Sequence, residues 1–571
     1  MKKLSIFFLF LINFAFGQKL LTPYEKGNKN QSTSYQQMVD FYDELDKKHE
    51  TIKVFKTEED DNGEYIRTIV FNPDKDFDFE KKQEKAVLFI NNGIHPGEPD
   101  GIDATMMMIR DFAEGKLKAP KNVIIAAIGC YNISGMMNRG RFSRANQNGP
   151  EEYGFRGNAR NFDLNRDFIK TDSKNAWAFQ KIFHQLNPDY FIDNHVSNGA
   201  DYQYTFTYIS TNKERMGKTL GNFLHQEMQP EILKNLDQKN ILHVPYVNIY
   251  GDSPDKGFPA FMDSPRYATG FTSLFNVPGT VAETHMLKPY KQRVEATLDY
   301  MLSTIDYLEK NSAKIKNLKK ESLSELKAGN QYPISWKLDS TKTSLIKFKG
   351  YESGKKTSDV SGKPRLFYDR NKPFERNVKF YDTYIPTKNV KIPRYYVVPQ
   401  SEWKVMQYLK HQNIEFKKIE KDSVIAVESY KIADFKTAKN PYEGHYPHYE
   451  TFIQTAQKNI KFRKGDYLIS TNQLGVKYLL ETLEPEATDS FFNWNFFDGI
   501  LGQKEYFSDY VFEDTAADLL KKDQVLRTAF EMEKIANPEF AKDGNAQLDW
   551  VYRNSQYFEK TLLQYPIYRI P

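Results

Sequence analysis

Residues from about Ser34 to Lys327 predict a three-layer α/β domain built on a mixed or mostly parallel sheet, and the rest predicts an α+β region. Two observations carry the first expectation. Ala86–Ile90, Val123–Ile128, Tyr190–Ile192 and Val277–Ala282 are short runs, several of them apolar without alternation, as expected of strands covered on both faces. Helical patterns separate them, near Ile102–Phe112, Ser173–Leu186, Lys213–Met228 and Tyr290–Lys327, and that alternation is the mark of α/β layering. A third observation bears on function. The polar residues best suited to chemistry follow these runs directly, and in such sheets ligands gather outside the carboxyl ends of the strands.

The first element is set apart from the fold. Lys2 and Lys3 precede the apolar run Leu4–Phe16, and Gly17 closes it. A basic start, a short apolar stretch and a small exit residue read as a signal peptide over residues 1–17. The run falls short of the roughly 20 apolar residues of a membrane span, and no Cys follows it to take a lipid. The expected product is exported, to periplasm or medium, with no membrane span. At the far end of the first domain, Ala328-Gly329-Asn330 stops the last helix, which places the boundary between a domain over 18–330 and an accessory region over 331–571. There, β-type runs at Ser344–Phe348 and Arg394–Val398 mix with helical patterns at Glu402–His411, Leu474–Leu483 and Leu548–Glu559.

Composition excludes several classes. The 571 residues include 42 Phe, 36 Tyr and 5 Trp, enough aromatic surface for large cores and too much for a disordered chain. The 80 basic and 75 acidic residues nearly balance, so there is no polyelectrolyte signal for nucleic acid. Cys130 is the only cysteine. It rules out an intramolecular disulfide and a Cys-rich zinc module, and its place after Val123–Ile128 suggests a buried small side chain.

Three strand ends hold the candidate chemistry. His95-Pro96-Gly97-Glu98 follows Ala86–Ile90, and Pro-Gly fixes a tight turn between an imidazole and a carboxylate. Both are ligands that Zn²⁺ accepts. His195 follows the run from Tyr190 to Asp193. Together His95, Glu98 and His195 would form a His₂Glu site with one position open, the pattern of catalytic zinc. Glu283 follows Val277–Ala282. A carboxylate there must be paired or face a cavity, and it suits a general base. His285 shares its strand face by period-two alternation and could stand behind a ligand, the preferred reading, or compete as one. Lastly, the segment Asn158 to Asp167 alternates amide, guanidinium and carboxylate groups, including Arg160, Asp163, Asn165 and Arg166. Such groups recognise a planar anion.

His95-x-x-Glu98, Asp163-Leu-Asn165-Arg166, Asp193-Asn-His195 and Glu283, in that order, resemble the zinc carboxypeptidase A-like (M14) metallopeptidases over roughly residues 34–310. The resemblance implies a zinc carboxypeptidase-like domain with Zn²⁺ held by His95, Glu98 and His195, and Glu283 as the catalytic carboxylate. It implies that Asn165 and Arg166 grip the terminal carboxylate of a peptide substrate, and that Asp163 orients the first zinc histidine. The family's transition-state arginine follows an Asn-x-x-Gly turn, here Asn132-Ile133-Ser134-Gly135. Arg144 is the best match, with Arg139 and Arg141 as competitors. Tyr267 is the candidate for the family's substrate-capping tyrosine. The turn between the ligands lacks the arginine that pancreatic-type members carry.

The function this implies is metal-assisted hydrolysis of the C-terminal peptide bond of a peptide with a free C-terminus. A zinc-dependent N-acyl amino acid amidohydrolase would share the metal site, and a non-catalytic binding protein would share only the fold. The aromatic cluster from Phe491 to Phe497 reads as core, and His445 and His448 as structural. The sequence carries no signal for oligomeric state.

Overall fold

The computed structural model describes residues 20–81 and 84–571. The candidate signal peptide, 1–17, lies outside the described residues. No described helix is long and apolar enough to cross a membrane.

Among the described residues, nine strands occur before residue 290: β1 (Ile52–Glu59), β2 (Tyr65–Phe71), β3 (Ala86–Asn91), β4 (Val123–Ile128), β5 (Tyr190–Ser197), β6 (Phe206–Ser210), β7 (His243–Pro245), β8 (Phe258–Pro259) and β9 (Gly279–His285). Eight of them form one mixed sheet in the order β1-β2-β4-β3-β5-β9-β6-β7. Its centre, β4-β3-β5-β9, is parallel, and β3 and β4 are buried throughout, as their unalternating sequences require. Helices Asp100–Ala113 and Tyr290–Ser324 pack together on one face, where Asn194 reaches Met301. Helix Lys174–Leu186 covers the other, with Phe179 against Phe89 and Phe191. This is a mixed α/β architecture with helices on both sides of the sheet.

Three elements differ from the sequence expectation for clear physical reasons. β5 and β9 run past Ile192 and Ala282, because His195–Ser197 and Glu283–His285 stay paired in parallel register. Polar side chains end the apolar pattern there without ending the backbone ladder. The helical stretch from Lys213 breaks at Gly217, whose φ of +84° ends one helix and starts the next.

Residues after 330 add strands and helices, among them a six-stranded sheet, a long hairpin (Ser344–Thr357 with Pro364–Tyr381) and a terminal helical group. They are not a detached appendage. Tyr332, Tyr396, Tyr478, Phe491 and Trp494 belong to the same hydrophobic cluster as the central strands. The cluster from Phe491 to Phe497 is therefore core, with Phe491, Phe492 and Trp494 buried.

That shared core encloses one group with a measurable consequence. Lys477 is buried on helix Val476–Leu483, its Nζ 3.4 Å from the Arg215 carbonyl. Burial, reinforced by the Arg215 charge, pushes its pKa down to about 7 from 10.5. The unfolded chain thus binds the extra proton between about pH 7 and 10.5, and stability rises with pH through that window. Below pH 7 the native state carries a buried ammonium at full cost. Each pKa unit is worth about 1.4 kcal/mol, so Lys477→Met is expected to raise the melting temperature at pH 6 and to raise it less at pH 9. Equal gains in thermal melts at both pH values would contradict this.

Candidate metal centre and catalytic site

The site forms where the outer ends of β3, β5 and β9 meet. After β3, the chain turns through His95-Pro96-Gly97-Glu98, closed by Glu98 N donating to His95 O at 2.8 Å. Gly97 is needed there, since a Cβ would lie 2.6 Å from Arg144 Cδ. On β5, Phe191, Asp193 and His195 share one face by alternation. The face passes from an aromatic anchor to a carboxylate to an imidazole as the strand leaves the core. β9 sets Glu283 beside His195 in register.

His95, Glu98 and His195 each offer a ligand atom, all within 4.8 Å of one another, the only such group among the described residues. Each imidazole is held from behind. His95 Nε2 donates to Asp163 Oδ1 at 2.9 Å, and His195 Nε2 to Asp193 Oδ2 at 2.9 Å. That fixes both Nδ1 atoms toward Glu98, at 3.3 Å from Oε1 for His95 and 2.9 Å from Oε2 for His195. These separations approach the edge of roughly 3.3 Å that follows from tetrahedral Zn–ligand bonds of about 2.0–2.1 Å. Carboxylates behind ligand imidazoles are the usual way to fix ring tautomer and orientation.

Electrostatics point the same way. Burial opposes charge on His195, but Asp193 and Glu98 outweigh it and hold its proton well above the usual histidine range. Burial likewise opposes ionised Glu98, yet Arg144 and His95 keep it well below the usual carboxylate range. At Asp163 burial is again overcome, by His95 and Arg156. A ring flanked by two acidic side chains calls for positive charge on its Nδ1 side, and two nitrogens plus one oxygen is a donor set that suits Zn²⁺. Glu283 behaves differently. Burial, with Glu98 adding to it, pushes its pKa up to about 8, and Oε2 has no hydrogen-bond partner among the described residues.

The three candidate arginines separate. Arg144 donates to Glu98 Oε1 at 2.6 Å and to Val196 O at 3.3 Å. Arg139 turns away to Ser32 O and Thr33 O, and Arg141 is an exposed partner of Glu152. Asp163 starts the short turn Leu164–Arg166 by accepting from Asn165 N. Arg166 lies 4.5 Å over the Tyr267 ring, and Asn165 Oδ1 accepts from Ala268 N at 3.4 Å. Asn158 and Arg160 point elsewhere, to Asp61 and the Asp172 carbonyl. His285 stays outside the donor group. It stacks on Tyr202 at 4.0 Å and faces Asp201, with Nε2 3.6 Å from Oδ1.

Sequence reasoning missed several neighbours. Arg156 pairs with Asp163 at 2.9 Å and reaches to 3.3 Å from His95 Nδ1. With His95 and Arg144 it lines a cavity of about 250 Å³. Asp263, bonded to Thr269, is buried near Asp193, and burial pushes its pKa up to about 6. Tyr246 shares a 2.7 Å hydroxyl contact with Tyr250, and burial plus Glu283 push its pKa up. Asp193, part of the Asp193-Asn-His195 motif but given no role from sequence, did have a usable signal, its place two residues before His195 on the same strand face.

No protein-family model matches the sequence, and no curated protein does. Similar solved structures include carboxypeptidases. One from Pseudomonas aeruginosa, in complex with (2-guanidinoethylmercapto)succinic acid, is 12% identical over 50% of this chain and 70% of its own, at TM-score 0.37. Carboxypeptidase A from Helicoverpa armigera is 13% identical over 50% and 75%, at TM-score 0.38. A metallo-carboxypeptidase from Burkholderia cenocepacia is 14% identical over 49% and 70%, at TM-score 0.36.

Proposed function

We propose that the protein is a zinc-dependent carboxypeptidase that removes the C-terminal residue of a peptide. The observation that carries this reading is the pairing of a buried His₂Glu donor group with an unpartnered Glu283 one strand away. His95, Glu98 and His195 would hold Zn²⁺, which supplies Lewis-acid polarisation and activates water at neutral pH.

The chain's own residues do the rest. Glu283 accepts the proton of the attacking water at its free oxygen and passes it to the departing amine. Arg144, on the rim of the donor group, donates to the oxygen that gains charge during attack, a kind of contact worth about 2.7–4 kcal/mol where it has been measured. Arg166, backed by Tyr267, and Asn165 take the substrate's terminal carboxylate, which makes the enzyme an exopeptidase. The reading includes export, on the basic and apolar pattern of residues 2–17.

The test is hydrolysis of hippuryl-type peptides, abolished by a chelator and restored by zinc. Cleavage of N-acyl amino acids in place of peptides would assign an amidohydrolase. Arg166→Ala is expected to raise KM by about tenfold to a hundredfold for free-acid peptides, the loss of a charged hydrogen bond of roughly 1.5–3 kcal/mol, with little change in kcat. An equal rise on C-terminally amidated peptides would rule out the clamp.

A further inference from the structure

The C-terminal region reaches the candidate site at two places, each through a carboxylate. The first is the turn bridged by Tyr442 and His445. It carries Glu443 at φ +49° and Gly444 at φ +82°. A non-glycine residue in the left-handed region is held there by its surroundings, and the surroundings here belong to the other half of the chain. Glu443 Oε2 accepts from the backbone N of Asp163 at 2.9 Å. Gly444 lies so close to Phe162 that a Cβ would be 3.0 Å from the ring. His445 Nε2 is 2.8 Å from Asp172 Oδ2. Glu443 therefore fastens the residue that opens the Leu164–Arg166 turn.

The second contact is Asp489, which is fully buried. It accepts from Arg266 N at 3.0 Å and Nε at 2.8 Å, and from Trp494 Nε1 at 3.2 Å. The Arg266 guanidinium lies 4.9 Å over the Trp494 ring. Arg266 immediately precedes Tyr267, the ring beneath Arg166, and its carbonyl accepts from Phe168 N at 3.4 Å. The two acids thus hold the two loops, 163–168 and 263–268, whose side chains meet as Asn165, Arg166 and Tyr267.

We propose that Glu443 and Asp489 are positioning residues for substrate-carboxylate binding, so that the region after 330 sets affinity for the peptide's free C-terminus. The inference rests on the carboxypeptidase reading, and it concerns geometry around Arg166 that neither acid supplies by touching substrate.

Binding by the full-length, zinc-loaded E283Q protein tests it without turnover. The probes are a blocked dipeptide with a free C-terminus and its amide, titrated by calorimetry. In that background E443A is expected to weaken the free acid about three- to tenfold, the effect of one lost hydrogen bond. It should leave the affinity for the amide and the zinc content unchanged. E443Q, whose amide oxygen still accepts from Asp163 N, should bind like the parent. Glu443 is only half-buried, so E443A keeps the test open where D489N fails to fold. D489N that does fold should show the same acid-selective loss. Unchanged affinity in E443A, or equal loss on acid and amide, overturns the proposal. A parent E283Q protein that binds acid and amide alike overturns the clamp at Arg166 itself, and the proposal with it, and so marks which of the two has failed.

Discussion

Glu283→Gln is expected to keep zinc bound and to lower kcat by about 10²–10⁴-fold, the usual contribution of a positioned general base. The substitution preserves side-chain volume on β9 and the register with His195. It removes only the capacity to take a proton. The site prepares that capacity in an unusual way, because burial and the Glu98 charge push Glu283 up to about 8 while His195 opposes them. A cation among His95, Glu98 and His195 would shift the balance toward the carboxylate, the form a general base needs. Metal analysis and steady-state kinetics on peptide substrates check the expectation together. Full zinc with undiminished kcat would place the base elsewhere.

How much of this was legible in the sequence depends on whether the signal was local. β3 and β4 could be read because a strand buried on both faces writes its burial into every residue. The His95–Glu98 turn could be read because Pro-Gly is turn chemistry. β5 and β9 extend beyond their apolar runs, since Asp193 and Glu283 interrupt the apolar pattern while the backbone ladder continues. Arg156, Asp263 and Tyr246 gave no sign at all. Each sits in a loop without periodicity, and what it touches is decided by chain folding many residues away. Glu443 and Asp489 are the extreme case, 280 and 223 residues from the groups they hold. A region without a recognisable motif can therefore still shape the site, because a carboxylate needs no motif to accept a hydrogen bond.

The candidate metal site gives the second large effect. His195→Ala is expected to abolish zinc-dependent activity and to cut zinc affinity by more than the 10–100-fold that follows loss of a ligand's own hydrogen-bond partner. The reason lies in how β5 is built. Asp193 takes the Nε2 proton of His195 and is itself held by Asn91 Nδ2 at 3.0 Å, so the ring is fixed before any ion arrives. Removing the ring deletes a donor and leaves Asp193 and Glu98 facing each other without it. Asp193→Asn keeps the donor and disturbs only its support, and should fall in the 10–100-fold range. The two variants form a graded pair. Melting temperature reports the grading without enzymology, since a ligand that binds only the folded state stabilises it by RT ln(1 + [L]/Kd). Added zinc should raise the melting temperature of the parent most, of Asp193→Asn less, and of His195→Ala least. A zinc-induced shift in His195→Ala as large as the parent's would mean that the ion sits on other donors, and the His₂Glu assignment would fall with it.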